Sequence, residues 1–281
     1  MRISVVVEHG WEPSTVEADP LTGAVDAARA IAGLGDSSRA AVAMGLRLRG
    51  EAGRVEVLAA APAAAEPELR SLLAAGVDAV LRVWGPGLEG AAAEAVARAL
   101  AAPLGAASAD LVLAGDRSLD GGRGALGPML AELLGLPAAT AVEALAVTSS
   151  GGEVTVRRRL ERGRREQLAL SLPAVVCVEP GIAGLADAPL PALLAARDAP
   201  VPVLATTAEA EPGCRRVRRL PPRPRPRRLP SPDPSLPVEA RLAALLGADR
   251  GHEGEHTLIE GPPEVLAERI LRLLEERGYL S

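Results

Sequence analysis

The sequence is almost without aromatic residues, with no phenylalanine, one tyrosine and two tryptophans among 281 residues. Its hydrophobic core must therefore be built from alanine, leucine and valine. Lysine and asparagine are absent as well, so all 31 basic residues are arginines. We attribute this skew to a GC-rich genome and not to a nucleic-acid ligand, because the formal net charge is −5.

Cysteine and histidine are also scarce, and neither forms a recognisable site. The two cysteines, Cys177 and Cys214, are too few for a disulfide framework and have no metal-ligating partner at close spacing. Cys177 lies in an apolar run, which indicates a small buried hydrophobe. His252 and His256 are not spaced as HExxH, and no nucleophile stands beside a base. The sequence predicts no metal site and no catalytic residues.

Long apolar runs are missing too. No segment reaches the roughly 18 uncharged apolar residues needed to span a bilayer. Residues 1–10 enter a predicted strand without the features of a signal peptide. We therefore expect a cytoplasmic protein that is not embedded in a membrane.

What the sequence contains is a regular alternation of short apolar runs and amphipathic segments. Strands are predicted at 3–7, 55–60, 79–83 and 110–114, and helices at about 36–49, 66–75 and 90–104, with a fourth helix carrying Met129, Leu130, Leu133 and Leu134. This alternation predicts an α/β fold with a parallel, Rossmann-like nucleotide-binding sheet covered on both faces. From about residue 143 the pattern becomes antiparallel. A hairpin of 154–156 and 167–170 is predicted around a charged turn at 157–166, followed by an apolar strand at 173–178.

The end of the chain differs in composition. Residues 212–237 hold nine prolines, eight arginines and one aspartate, which favours an extended, semi-rigid path. We predict an α/β domain at 1–203, a Pro/Arg-rich linker arm at 204–237 and a C-terminal helical segment at 238–281. An apolar helix face within 263–277 either docks on a partner subunit or folds back on its own domain.

The most informative stretch is the glycine-rich turn after the fourth predicted strand. It leads from an apolar strand into a helix and carries Gly115, Gly121, Gly122 and Gly124. Glycines let backbone N–H groups approach an anion, and the start of a helix adds positive potential there. The glycines do not match the P-loop or the GxGxxG spacing. The turn is therefore either a phosphate-binding loop or an ordinary strand-to-helix connection.

The same stretch resembles a known family. Residues 115–121 read GDRSLDG, and Gly124, Gly127 and Met129 follow, which is similar to the G-[KR]-Q-[SA]-I-D signature of electron transfer flavoprotein β subunits. The similarity continues through the arginine-rich hairpin, residues 172–176 and the Leu190-Pro191 pair, and covers roughly residues 1–203. It implies a subunit that holds AMP while FAD is held mainly by an α subunit. The C-terminal arm resembles the mycofactocin-associated subgroup.

The resemblance also implies site residues. We predict that the cofactors contact Val6, His9, Ala60, Gly115, Arg117, Ser118, Asp120, Gly121, Gly122, Arg123, Gly124 and Ala125. In this set Asp120 orients the loop, and Ser118 and the loop amides hold phosphate. His9 is either a contact at the flavin edge or a solvated loop histidine. Asp116 departs from the family pattern, and its negative charge opposes phosphate binding unless its side chain points away.

Partner contacts are implied in the same way. Leu190 and Pro191 match the loop with which the family contacts a donor dehydrogenase, although an ordinary loop leucine is the alternative. The implied function is an electron carrier and not a stand-alone enzyme: a heterodimer with an α subunit that relays electrons from a dehydrogenase towards a membrane quinone oxidoreductase of the respiratory chain.

Two rival interpretations remain open. The first is an adenine-nucleotide enzyme or ATP-sensing module on the same scaffold, because a fold does not determine a function. The second is a nucleic-acid contact through the basic arm, which the lack of aromatic stacking residues disfavours.

Overall fold

The computed structural model describes residues 1–19, 22, 24–26, 28–148, 151–206, 233–246, 260–276 and 278–279. The chain divides into two compact units, Met1–Pro222 and Arg223–Ser281. The predicted Pro/Arg-rich arm, with Cys214, and the residues around His252 and His256 lie mainly or wholly outside the described residues.

The first unit is an α/β sheet structure. Its strands are β1 (Arg2–Trp11), β2 (Ala32–Leu34), β3 (Arg54–Ala60), β4 (Ala79–Trp84), β5 (Leu111–Gly115), β6 (Ala138–Val147), β7 (Glu153–Arg159), β8 (Arg165–Ser171), β9 (Ala174–Val178) and β10 (Val203–Ala205). Its helices are α1 (Asp36–Leu48), α2 (Glu66–Ala74), α3 (Ala93–Ala107), α4 (Leu126–Leu134) and α5 (Leu190–Ala196).

Within the described residues the strands form one sheet in the order β10-β4-β3-β1-β5-β9-β6-β7-β8, with β2 beside the end of β1. The strands from β10 to β6 run parallel. The strands β6, β7 and β8 form an antiparallel extension. The predicted α/β class, the parallel sheet and the hairpin addition are confirmed.

The two faces of the sheet carry separate cores, and alternation along β1 assigns its side chains between them. Val5 and Val7 pack with α1 and α2, whereas Val6 packs with α3 and α4. Side chains two residues apart on a strand share a face. This register decides which side chains at the end of β1 can reach each helical layer.

Several sequence predictions need correction. No strand was predicted between the first strand and α1, but β2 pairs antiparallel with β1. Strand β10 was missed and ends at Ala205, two residues past the predicted domain boundary. Strand β6 was missed as well: it begins at Ala138, pairs parallel with β9 along one edge and, from Val142, antiparallel with β7 along the other, which agrees with the predicted change of pattern near residue 143. Strands β2 and β10 are three residues long, too short to show periodicity.

The arginines of the hairpin are also placed differently from the prediction. Arg157 and Arg159 belong to strand β7 and not to the tip, which spans only residues 160–164. Arg157 and Arg165 both pair with Glu143, at 2.8 and 2.7 Å. Neighbouring strands bring these opposite charges together, so the cluster has a structural explanation.

The second unit has two described helices, α6 (Val238–Leu246) and α7 (Pro263–Glu276), near the predicted positions. Three apolar side chains of α7, Val265, Ile270 and Leu273, are about half exposed. Docking of this face on a partner remains a prediction. Within the described part of the chain no helix is long and apolar enough to cross a bilayer.

Candidate nucleotide-binding site

A cavity of about 300 Å³ opens at the carboxyl edge of the parallel sheet, where ligands of such sheets usually bind. It lies between the end of β1, the loop after β5 and the first turns of α3 and α4. Its lining consists of Glu8, Gly90, Ala91, Ala93, Val96, Ser118, Asp120, Gly121, Arg123 and Leu126. The glycine-rich turn singled out in the sequence therefore borders a real depression.

The loop from Asp116 to Ala125 is closed by its own hydrogen bonds. The Ser118 amide donates to the Arg123 carbonyl at 3.0 Å, and the Gly122 amide donates to the Ser118 carbonyl at 3.1 Å. The Ser118 hydroxyl accepts from the Arg123 amide at 3.3 Å. Gly122 has a φ of 60°, a conformation that favours glycine. Ser118 thus shapes the loop while its O–H can still donate to a ligand.

Close backbone approaches hold this loop against the rest of the site. A Cβ on Gly124 would stand 2.6 Å from the Asp116 carbonyl oxygen, and one on Gly115 would stand 3.0 Å from Ser37. The Ser37 hydroxyl donates to the Arg117 carbonyl at 2.8 Å. The capping position of α1 is Gly35, so Ser37 lies within the first turn of the helix and anchors the loop.

The beginnings of two helices open onto the cavity. Helix α3 follows Ala92 and helix α4 follows Ala125, and neither alanine has a side chain that can cap the first turn. The first N–H groups of a helix have no partner inside the helix. With the positive end of the helix dipole, these groups form a favourable environment for an anion.

Three charged side chains face the cavity, and none of them has a hydrogen-bonded or ion-paired partner among the described residues. Arg123 supplies positive charge, whereas Glu8 and Asp120 supply negative charge. Burial, and then the charge of Asp120, raises the pKa of Glu8 to about 7. Sequence reasoning missed Glu8. The available signal was an acid directly after the buried run of β1, at the edge where ligands bind.

Asp116, whose charge the sequence analysis set against phosphate binding, is not among the residues that line the cavity. Its side chain is 7% exposed and lies 3.5 Å from the Arg117 guanidinium. Burial and the neighbouring charge of Glu179 raise the pKa of Asp116, whereas Arg117 and Arg159 oppose that rise. Arg117, engaged with Asp116, does not line the cavity.

The predicted cofactor residues are thus only partly brought together. Ser118, Asp120, Gly121 and Arg123 line the cavity, and Gly115, Gly122, Gly124 and Ala125 shape the same loop or the start of α4. Val6 and Ala60 are buried in the strands beneath it. Ala60 is the register partner of Glu8, which places it next to the cavity floor.

His9 lies on the opposite face of β1 from Glu8, next to strand β2. Burial lowers the pKa of His9, and the negative charge of Glu68 opposes that shift. The ring is therefore mainly neutral at pH 7. His9 does not share the cavity with Glu8, so a role at a flavin edge concerns a different surface and remains a prediction.

Leu190 begins helix α5, and its side chain is 66% exposed. Leu193 and Leu194 are exposed on the same short helix. Pro191 occupies the first turn, where its missing N–H costs nothing. The segment therefore presents a compact apolar knob, as the predicted contact with a donor dehydrogenase requires, and that contact remains a prediction.

Other chemistry finds no support in the described residues. They contain no cluster of three or more histidine, cysteine or acidic side chains that could hold a metal ion. Cys177 is buried, and burial raises the pKa of its thiol to about 12. The prediction that Cys177 is a small buried hydrophobe is confirmed.

Fold and cavity together define an α/β protein with a cavity at the carboxyl edge of its parallel sheet. The profile of the electron transfer flavoprotein domain matches residues 22–209. The chain belongs to the electron transfer flavoprotein β-subunit family.

Individual relatives agree with this assignment. The electron transfer flavoprotein subunit beta of Methylophilus methylotrophus is 32% identical over 128 residues, which is 46% of this chain and 48% of that protein. The subunit of Mycobacterium tuberculosis strain H37Rv is 35% identical over 131 residues, with the same coverage. That of Thermoanaerobacterium thermosaccharolyticum is 29% identical over 164 residues, 58% of this chain and 62% of that protein. The chain spans about half the length of the first two relatives.

Proposed function

We propose that the chain is the β subunit of a heterodimeric electron transfer flavoprotein, and that its cavity binds AMP as a structural ligand. In this proposal an α subunit holds most of the FAD, which supplies the redox chemistry. The pair relays electrons in the cytoplasm from a dehydrogenase to the respiratory chain, and the β subunit itself catalyses nothing. Membership of the mycofactocin-associated subgroup remains a prediction.

The observation that supports AMP most strongly is the grouping of anion-binding elements in one cavity. The unpaired guanidinium of Arg123, the Ser118 O–H and the uncapped first turns of α3 and α4 surround the same space. An arginine fork and helix N-terminal amides are typical phosphate ligands. On the other side, Ala91, Val96 and Leu126 offer an apolar wall for a base. These residues therefore fit a nucleoside monophosphate.

The partner contacts rest on exposed apolar surface. Leu190 and its neighbours on α5 form the contact proposed for the donor dehydrogenase, whose identity the sequence does not specify. The half-exposed face of α7 is proposed to dock on the α subunit. Exposed apolar patches of this kind commonly mark protein interfaces.

The test is co-expression with a neighbouring gene that encodes an α-type subunit, followed by purification through a tag on this chain. We expect a yellow one-to-one complex from which FAD and AMP can be extracted in equal amounts. A colourless monomer that hydrolyses ATP would overturn the proposal in favour of an adenine-nucleotide enzyme. Binding to nucleic acid with steep salt dependence would instead favour the basic arm as the functional surface.

A matched pair of variants locates the AMP within the complex. Gly124→Ala places a methyl group 2.6 Å from the Asp116 carbonyl and must deform the loop, whereas Gly152→Ala meets nothing within 4 Å. We expect the first variant to lose AMP and keep FAD, and the second to keep both. Full AMP content in Gly124→Ala would place the AMP elsewhere.

A further inference from the structure

Glu8 occupies a position that neither the fold nor the electrostatics of the protein explains. It lies near the carboxyl end of strand β1, in register with Ala60 of β3. Because Val6 belongs to the core under α3 and α4, Glu8 projects from the same face of the strand. That face is the floor of the cavity, which Glu8 lines.

The Glu8 carboxylate has no hydrogen bond and no ion pair within the described part of the chain. The charge of Asp120, which has the same sign, acts on it. Burial without a partner raises its pKa to about 7, so the protein would be more stable without this acid. An acid that is held at such a cost in a ligand-sized cavity is best explained by a ligand that donates hydrogen bonds to it.

The chemistry of the cavity narrows the choice of donor. A phosphate carries only acceptors and negative charge, so it is repelled by Glu8 and Asp120 and is drawn to Arg123. Asp120 is on the same loop as Arg123, three residues away, so the acidic pair is adjacent to the phosphate-holding groups. In a nucleotide the group adjacent to the phosphate is the sugar. Vicinal sugar hydroxyls are donors that carboxylates at strand ends bind in dinucleotide-binding folds.

We propose that Glu8 is a specificity-determining residue of this cavity, whose carboxylate accepts hydrogen bonds from the ribose hydroxyls of the bound nucleotide. The site then prefers ribonucleotides over deoxynucleotides. This inference rests on the proposed nucleotide-binding function, which it deepens.

The test uses the full chain, freed of nucleotide, and isothermal titration calorimetry with AMP, 2′-deoxy-AMP, 3′-deoxy-AMP and IMP. We expect the wild type to bind AMP about tenfold more tightly than at least one deoxy analogue, the effect of one hydrogen bond to a charged group. In Glu8→Ala this ratio falls to about one, whereas the AMP-to-IMP ratio is unchanged. Glu8→Gln, whose amide oxygen still accepts, restores part of the sugar preference.

The matched control is Glu89→Gln, which removes a charge from an exposed acid next to Gly90 that does not line the cavity. It should leave all ratios at their wild-type values.

Equal affinity of the wild type for AMP and both deoxy analogues would overturn the role of Glu8 while leaving nucleotide binding intact. Loss of base preference instead of sugar preference in Glu8→Ala would assign Glu8 to the base and also overturn it. Absence of binding for every nucleotide would overturn the proposed AMP site together with this inference. If Glu8→Ala fails to fold, Glu8→Gln decides alone: its AMP-to-deoxy ratio should lie below the wild-type ratio, because a neutral amide oxygen accepts a weaker hydrogen bond than a carboxylate, and a ratio equal to that of the wild type would contradict the proposal.

Discussion

The two faces of the sheet differ in how their charged side chains are paired. On the face of α1 and α2, Glu66 pairs with Arg70 and Arg82, both at 3.0 Å. Glu68 pairs with Arg39 at 2.6 Å and accepts from the Leu34 amide. On the face of α3 and α4, the acids and the arginine around the cavity have no partners in the described structure.

This difference separates structural charges from functional ones. An ion pair that is satisfied inside the protein contributes to the fold and needs no ligand. A buried or cavity-facing charge without a partner costs free energy, and such groups concentrate at sites where a ligand supplies the missing partner. Changes on the packed face should therefore alter stability, and changes on the cavity face should alter binding.

The largest expected effect is on the packed face. Glu66→Ala leaves the Arg82 guanidinium, which is 8% exposed, without its ion partner. Removing one member of a buried pair costs about 3 kcal/mol, because the other charge stays buried. Urea denaturation should show this loss, with nucleotide affinity unchanged. Glu94→Ala, which breaks an exposed pair with Arg98, should change stability by only about 0.5 kcal/mol. Equal effects of the two changes would contradict the distinction.

The next largest effect on stability is expected where helix α4 packs tightly against strand β9. A methyl group on Gly127 would overlap Sγ of Cys177 on β9. Gly127→Ala should destabilise the protein by about 2 kcal/mol through overpacking. The control is Gly105→Ala, within helix α3, since the new methyl group would meet only Leu134 of α4, at 3.8 Å. There the replacement should stabilise by up to about 1 kcal/mol, because glycine is a poor helix former. Thermal unfolding that shifts both variants in the same direction would argue against the close approach.

The sequence was sufficient for most of the elements that build the sheet, though not for β2, β6 and β10, and it was not sufficient for the site. Buried runs such as Val5 to Val7 and alanine-rich helices have strong periodicity, so they were predicted correctly. The role of Glu8 could not be inferred, because a single acid at the end of a buried run has no periodic signal. Its isolation becomes visible only when α3, distant in sequence, closes the cavity over it. The same holds for Ser37, whose partner Arg117 is 80 residues away.

The unpaired Glu8 predicts an unusual pH dependence of stability. Its folded pKa of about 7 exceeds the ordinary value of 4.5, so the folded state binds the proton more tightly between these values. Raising the pH through this window therefore favours unfolding, and the contribution that is complete below pH 4.5 is lost above pH 7. Glu8→Gln should gain about 2 kcal/mol over the wild type between pH 5 and pH 8. Denaturation at both pH values measures this gain, and a difference that does not depend on pH would mean that Glu8 is solvated or paired.

The smallest effect distinguishes two arginines of the same loop. Arg123 faces the cavity without a partner among the described residues, whereas Arg117 is exposed and lies 3.5 Å from Asp116. Arg123→Ala should weaken AMP binding about tenfold, because it removes a charge-assisted contact to phosphate. Arg117→Ala should change the affinity less than about twofold, since its guanidinium already serves an internal carboxylate. Titration calorimetry at fixed ionic strength measures both affinities. A larger loss for Arg117→Ala would show that the phosphate lies on the Asp116 side of the loop. It would also contradict the idea that charges without a partner mark the binding site.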